Sequence, residues 1–503
     1  MKRLYLTGAV IALTIGISMA QNEYDALRYS RYYFGGTARV TSMAGSFGAL
    51  GGDFGSLSIN PAGIGVFRSK EFIISPTLSF DHTDAKYLGS SITDNKAQFA
   101  LGNLGFVSTQ KTGSENGFVS VSYGIGYNQL NSFNRNTFME ARMPEVTPGV
   151  STERPENGGS PSSSYLDNFV NYGNAAGEFN PDNLDPYYEQ LAWYADLIYY
   201  DSSAAVMSYR NDINDMGYGQ FQQQSINERG GLGEFVFGVG ANYSDVLYLG
   251  ATLGIHQLRF HQDITTFEED DLDKSDYFNS FTFDEYLDVY GTGFTAKFGL
   301  IYRPVSFVRM GAAFHIPTFY RIREEFITDL SGTFDIESAT SERSPVNTFK
   351  YWLRTPYKAI GSVGFQIPKI ATINIDYELT DYSVLNFDSD YPEDFVDVNQ
   401  SMRNIYKLTS NIRAGAEVVI KPIYIRGGFA FYGSPYEHEI PGIHTHALLY
   451  SGGVGFRSEK FFFDIGGAIR TNELSYELYE EDAYGAIISG RKTNIITTLG
   501  FRF

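Results

Sequence analysis

The 503-residue chain has no cysteine, which excludes disulfide staples and thiolate metal ligands. Positive charge is scarce: 38 Lys and Arg stand against 58 Asp and Glu, a formal charge of -20. Nucleic acid is thereby excluded as a partner, because phosphate binding needs clustered Lys and Arg. Beyond residue 20 the sequence lacks any apolar run of the roughly 20 residues that a membrane-crossing helix requires, and mean hydropathy is -0.21. A helical membrane protein is excluded. The 7 histidines show no metal-ligand spacing, and no Ser-His-Asp nucleophile motif stands out. Neither an enzyme nor a cofactor or metal is expected.

What is present points to strands. Only 2 tryptophans occur, but 37 tyrosines, 40 phenylalanines and 52 glycines do, a composition suited to many strands with aromatic girdles. Residues 1–20 read as a signal peptide: basic Lys2-Arg3, an apolar run from Leu4 to Ile17, then Ser18-Met19-Ala20 before Gln21. At the other end, Ile495, Thr497, Leu499, Phe501 and Phe503 alternate with Asn494, Thr498, Gly500 and Arg502. An amphipathic final strand closing on Phe503 resembles the sorting signal read by the barrel-assembly machinery.

Period-two alternation recurs through the body. In Ala371–Thr380, Ala371, Ile373, Ile375, Tyr377 and Leu379 oppose Thr372, Asn374, Asp376, Glu378 and Thr380; such a strand faces two different solvents. About fourteen segments of this kind are expected, each near the length a tilted strand needs to cross a bilayer. They fall near 71–82, 97–110, 117–130, 231–243, 246–262, 286–302, 306–322, 357–367, 370–384, 408–420, 423–432, 446–457, 460–475 and 490–503. From the second strand on, connections alternate short and long. Short ones lie at Lys111–Asn116, Ser244-Asp245, Pro304-Val305, Pro368-Lys369, Lys421-Pro422 and Ser458-Glu459. Long ones lie near 83–96, 131–230, 263–285, 323–356, 385–407, 433–445 and 476–489. Turns on one side and loops on the other is the pattern of an outer-membrane barrel, and only a closed barrel crosses lipid without an unpaired edge. The expected fold is all-β: an antiparallel transmembrane β-barrel of about fourteen strands, spanning residues 71–503.

The loop 131–230 is the longest. Within it Asp185-Pro186 suggests a helix cap with a first-turn proline, and Tyr187–Tyr200 would place Leu191, Tyr194 and Ile198 on one face of a lid helix over the barrel mouth. Acidic runs at Glu268–Asp276 and Asp388–Asp397 lack the glycine of a calcium loop and read as solvated charge.

Residues 21–70 do not alternate. They carry Gly35-Gly36-Thr37-Ala38-Arg39, then Met43-Ala44-Gly45, a small-residue stretch ending at Asp53, and Asn60-Pro61-Ala62-Gly63. Small residues permit close packing, and Asn60-Pro61 fixes a turn, so a compact hatch inside the lumen is expected over 21–70. This sequence of motifs resembles the FadL/TodX family of outer-membrane transporters. The resemblance implies a fourteen-stranded barrel, a hatch with Asn60, Pro61, Ala62 and Gly63 as its motif, and passive uptake of a hydrophobic small molecule such as a long-chain fatty acid or aromatic hydrocarbon. It also implies lateral exit through a kinked third strand, where Gly124 and Gly126 would permit a bulge; the same glycines would equally make room for the hatch. Outer-membrane lipid and lipopolysaccharide are the expected surroundings. Two alternatives stay open: a barrel scaffold or secretion-type shuttle subunit that binds a protein partner, and hemin uptake through His444 or His446, which share one strand face.

Overall fold

The computed structural model describes residues 23–114, 116–143, 164–177, 179–200, 207–213, 220–391, 393–438, 442–478 and 485–503. The expected signal peptide, 1–20, lies outside the described residues. Among those described, no helix is long and apolar enough to cross a membrane.

Fourteen antiparallel strands form the body. They are β1 (Glu71–Tyr87), β2 (Ser90–Lys111), β3 (Phe118–Ser132, resumed at Arg135–Arg142), β4 (Phe221–Tyr243), β5 (Leu247–Glu269), β6 (Phe278–Val305) and β7 (Val308–His315 and Phe319–Phe334). The second half comprises β8 (Asn347–Arg354 and Lys358–Ile367), β9 (Ala371–Asp381 and Asn386–Asp388), β10 (Leu408–Ile420), β11 (Ile423–Tyr432), β12 (Ala447–Arg457), β13 (Phe461–Tyr476) and β14 (Ala486–Arg502). Each pairs with its neighbour in sequence, and β14 returns to β1 from Glu71↔Arg502 to Lys86↔Ile487. The sheet is closed all the way round, which spares a strand in lipid a fully unpaired edge.

Alternation decides which face is which. In β9, Ile373, Ile375 and Tyr377 are exposed outward, whereas Asn374, Asp376 and Glu378 are buried inward. The same holds around the wall: Leu253 and Ile255, Phe294 and Phe298, Ile465 and Leu499 form an outer apolar belt.

The strand positions agree with the sequence pattern, but the strands are longer at one end. The connection expected over 83–96 is only Leu88-Gly89, both at positive φ (47° and 86°), as a two-residue hairpin turn demands. Residues 83–87 and 90–96 continue the ladder of β1 with β2. Likewise β5 runs on to Glu269, β6 begins at Phe278, and β7 reaches Phe334. Above the belt the inward face still carries buried apolar side chains such as Phe281, Phe283, Phe326 and Leu330, but the outward face turns polar, as at Asp84, Lys86, Asp263 and Asp288, and the apolar outer stripe that marks a membrane strand is lost.

The segment 23–67 lies inside the barrel. It comprises α1 (Glu23–Ser30), α2 (Ala38–Ser42) and two single-turn 3-10 segments, Phe54–Ser58 and Pro61–Val66. Each short turn is capped by the side chain before it: Thr37 accepts from Val40 N–H, Asp53 from Gly55 N–H and Asn60 from Ala62 N–H, relieving donors that so short a helix leaves free. Glycines on the inner wall admit it. A Cβ on Gly428 would lie 2.4 Å from the Met43 backbone, one on Gly311 2.1 Å from Gly48 O, one on Gly250 2.3 Å from Pro61, and one on Gly126 2.5 Å from Phe54. Backbone thus meets backbone across the lumen, which side chains on the wall would prevent. Within the segment itself, Gly51 (φ +64°) is pressed against Gly63, where a Cβ would come within 2.6 Å of Cα.

This packing has a measurable consequence. Gly250→Val is expected to cost about 1–3 kcal/mol and to lower the heat-induced unfolding midpoint in detergent. Gly361→Val, outward-facing with nothing within 4 Å of its Cβ, should leave that midpoint unchanged.

Candidate functional site

The turn-side half of the lumen is polar and is tied to the inserted segment by charge. Arg39 pairs with Glu417 at 3.0 Å, Glu417 with Arg426 at 2.6 Å, and Arg426 with Asp464 at 2.7 Å. Arg413 is fully buried and bonds Glu378 at 2.8 Å, while Asp376 accepts the backbone N–H groups of Phe47 (3.0 Å) and Gly48 (3.2 Å). Glu234 is likewise fully buried, contacting Lys297 and His256 and accepting the Ser58 hydroxyl at 2.6 Å. Buried charges persist only when paired and hydrogen-bonded. Here the partners come from two separate pieces of chain, so wall and hatch satisfy one another.

Asn60 sits at the junction. Its amide donates to Gly48 O at 2.6 Å and to Leu300 O of β6 at 3.1 Å, while its side-chain oxygen accepts Ala62 N–H at 3.1 Å. Pro61 follows as the first residue of the turn, Ala62 is buried against Tyr248 and Ile301, and Gly63 touches Gly51. The motif singled out in sequence therefore joins two turns of the segment to one another and to the wall.

The loop-side half is largely apolar, packed around one buried ion-pair group in which Arg28 contacts Asp25 and Glu228 and Arg135 contacts Glu228. Around α1, the side chains of Ala26, Leu27 and Tyr29 pack with Phe260, Phe326 and Phe395 in one cluster, and Tyr29 meets Phe133 and Phe260 edge to face. Above it, a second cluster closes the mouth. It is built on α3 (Tyr165–Ala176) and α4 (Glu189–Tyr194). Glu268 of β5 anchors α3: it accepts the Ser164 hydroxyl and Tyr165 N–H (2.9 Å) and the amides of Gln220 and Gln222 (3.0 Å each). The reading of Glu268 as solvated charge is corrected, because four donors drawn together by the fold bury it; sequence spacing shows none of them.

The helix expected over Tyr187–Tyr200 is shorter, Glu189–Tyr194, with Asp185 accepting Tyr187 N–H at 2.8 Å. Leu191 and Ile198 are buried in the mouth cluster. Tyr194 instead points out, 46 % exposed, and donates to Asp182 at 2.5 Å; the chain leaves the helix at Asp196, at φ +57°, so the three do not share one face.

Between the two halves, beside Tyr33–Gly36, lies a cavity of about 80 Å³. Its walls include Thr77 of β1, Gly102 of β2, Leu130 and Asn131 of β3, and Lys492 of β14. The wall next to it is incomplete. β2 pairs with β3 only from Asn103↔Asn128 to Lys111↔Ser120. Beyond that, β2 keeps pairing with β1, and β3 keeps pairing with β4, but no ladder joins β2 residues 90–102 to β3. Strand β3 is itself broken at Phe133-Asn134. Side chains span this seam instead: Ser132 and Asn134 donate to Gln98 at 2.9 and 2.5 Å, and Lys96 reaches Glu228 O at 2.8 Å. Lys492 donates to Ser132 O at 2.8 Å from within.

Gly124 and Gly126 do not form this gap. They are paired on both sides, with Val107 and Gly105 of β2 and with Gly238 and Val236 of β4. Their missing side chains leave room for Ile64, Leu57 and Phe54. They fit the reading in which small residues on this strand make room for the inserted segment; the interruption of the ladder lies further along the strand, and a lost backbone ladder has no compositional signal. His444 and His446 lie outside the lumen cluster near the loop before β12, ring centroids 5.5 Å apart, and no group of three metal-ligating side chains occurs among the described residues.

These features define a transmembrane barrel closed from within by its own N-terminal segment. No family model and no curated protein matches the chain. Solved structures do: the TodX monoaromatic hydrocarbon channel deltaS2 mutant (TM-score 0.53, 10% identity, 93% of this chain and 98% of that one) and the Pseudomonas putida toluene transporter TodX (0.51, 10%, 94% and 99%). The Ralstonia pickettii toluene transporter TbuX overlaps at a TM-score of 0.49 with 15% identity, over 94% and 99%. At such identity the likeness establishes a shared fold. It is the fold of the FadL/TodX family, which the hatch motif resembles.

Two outcomes are expected. Asn60→Ala removes three side-chain hydrogen bonds, two donated and one accepted, at a cost of about 2 kcal/mol or more; hydrogen exchange should rise across residues 35–67 while the barrel strands stay protected. Glu189, the first residue of α4, is buried in the mouth with Asp185 nearby and has its carboxyl pushed up to about 7 by burial. The docked helix therefore holds a proton that the undocked one loses between about pH 4.5 and 7, so docking weakens as pH rises through that window. Proteolysis within 187–198 should be faster at pH 8 than at pH 5, and Glu189→Gln should abolish the difference.

Proposed function

We propose that the protein is a bacterial outer-membrane channel for passive uptake of hydrophobic small molecules, of the long-chain fatty acid or aromatic hydrocarbon type. The observation that carries this reading is the conjunction of an apolar loop-side lumen, a hatch-filled turn-side lumen and an unpaired seam between them. An apolar solute finds low-cost surroundings among the aromatic side chains around α1. It finds none further on, where paired charges and close-packed backbone fill the barrel. The remaining route from the cavity beside Tyr33 leads sideways through the gap between β2 and β3 into the hydrocarbon core.

In this reading the lid formed by α3 and α4 admits the ligand, α1 yields space to it, and the contacts of Gln98, Lys96 and Lys492 act as the latch of the seam. Those bonds are few and side-chain borne, so they open at far lower cost than a backbone ladder. The TodX structures of the same fold carry the names of a toluene transporter and a monoaromatic hydrocarbon channel, which accords with a lipophilic cargo. Motion of the hatch as a whole is not required, since the solute leaves before reaching it.

Absence of native cysteine makes the test direct. Gln98→Cys/Ser132→Cys, joined across the seam by oxidation or a short bifunctional thiol reagent, should reduce uptake of a fatty acid or aromatic hydrocarbon at least tenfold while its saturable binding persists. Reduction of an oxidised pair should restore uptake. Unchanged uptake with the link in place would rule out lateral exit. No saturable binding of any such ligand would rule out the channel itself; hemin binding lost on replacing His444 and His446, or a protein partner recovered instead, would then select between the alternatives.

A further inference from the structure

We infer that the outer wall carries a binding site for a phosphorylated glycolipid of the outer leaflet, on the face of β5 to β8 just above the apolar belt. On these strands the outward residues change character at one level. Ile255 gives way to Gln257 and Arg259 on β5, Phe294 to Thr292 and Tyr290 on β6, and Phe319 to Arg321 and Arg323 on β7. On β8, Tyr357 gives way to Arg354, Trp352 and Lys350.

Register brings the cations together. Arg259 lies opposite Tyr290, Tyr290 opposite Arg323, and Arg323 opposite Lys350. At the usual strand spacing, three cations stand in one row about 14 Å long. Arg321 lies in the next row, beside Trp352. Arg323 and Lys350 are like charges directly opposite one another, an arrangement that destabilises a sheet and that an external anion would relieve; the nearest outward carboxylates of β6 and β7, Asp288 and Glu325, stand one row further up. Only Arg323 has an internal partner, Glu325. Among the described residues, Arg259, Arg321, Lys350 and Arg354 make no ion pair.

The surface beneath them is concave. The ladder between β7 and β8 is interrupted at Ile316–Thr318 and Thr355–Tyr357, each containing a proline. Two adjoining grooves, of about 350 and 740 Å³, share Thr292 and Arg321. The first holds Arg259, Arg323 and Lys350; the second is floored by Ile255, Phe294, Phe319 and Trp352 and edged by Arg354 and Asp388. Cations above and an apolar trough below fit one molecule with phosphate on a saccharide head and acyl chains beneath it. Arginine forks bind phosphate bidentately, and aromatic side chains at this level suit the interface. A soluble anion would use the cations but leave the trough unfilled. The inference rests on placing the barrel in an outer membrane, and its readout is independent of cargo uptake.

The test is lipid A binding by the full-length barrel in detergent, followed by native mass spectrometry. Bisphosphorylated lipid A is compared with its dephosphorylated form, with inorganic phosphate as competitor. Arg259→Ala/Arg321→Ala/Lys350→Ala should weaken lipid A binding at least tenfold, with barrel heat stability and hydrophobic-ligand binding retained. Lys369→Ala/Lys460→Ala, two exposed cations at the opposite rim, should change nothing. Dephosphorylated lipid should bind the parent no better than the triple variant binds lipid A. Equal binding of both lipids, unchanged binding by the triple variant, an equal loss in the Lys369/Lys460 control, or displacement by inorganic phosphate would each overturn the assignment.

Discussion

Closure of the sheet is the constraint on which everything else depends. A strand in lipid cannot leave its backbone groups unpaired, so β14 must return to β1, and it does so along most of the length of both. Closure fixes an inside and an outside, and alternation then assigns every strand residue to one or the other. Because each strand must also span the bilayer, the apolar belt lies at one height around the wall. The inner face has no such freedom to be apolar everywhere: a lumen of this width must hold water or be filled with protein.

Filling is achieved by two kinds of complementarity. Wall glycines give the inserted segment direct access to the barrel backbone, and acidic and basic side chains from the wall meet partners on it. Glu417 illustrates the second kind, lying between Arg39 of the segment and Arg426 of β11. Such pairs do not by themselves guarantee stability, since desolvation offsets much of their attraction. Together with Asn60, which joins the turns of the segment to β6, they tie the segment to the wall at defined positions. The loop-side half is organised differently, by apolar packing around α1 and by a lid whose main polar anchor is the buried Glu268.

The seam between β2 and β3 departs from this economy of paired backbone. Strand β3 separates from β2 above Asn128 while staying with β4, so the wall opens at the level where apolar lumen changes to hatch. Closed ladders would have been the more stable solution. Here the strand is held locally by side-chain bonds from Gln98, Lys96 and Lys492 instead.

The amino-acid sequence by itself determined the strand count, the belt and the sorting of turns and loops to opposite ends, because period-two alternation and turn chemistry are local. It also marked the inserted segment, since a stretch of small residues that neither alternates nor runs apolar has few other uses beside a barrel. It placed Asn60, Pro61, Ala62 and Gly63 in that segment without saying what they touch. Only the tertiary structure decided the rest. The extended ends of β1, β2 and β5 were hidden because their outward faces turn polar above the belt, while the partners of their inward apolar residues, such as Tyr87 and Ile264, come from distant loops. Glu268 looked like surface charge because its four donors come from distant positions. The gap beyond Asn128 is an absence of pairing between two strands, and the row of Arg259, Arg323 and Lys350 arises from register across four. Neither leaves a trace within any single segment, because both are properties of how strands are aligned rather than of what each contains.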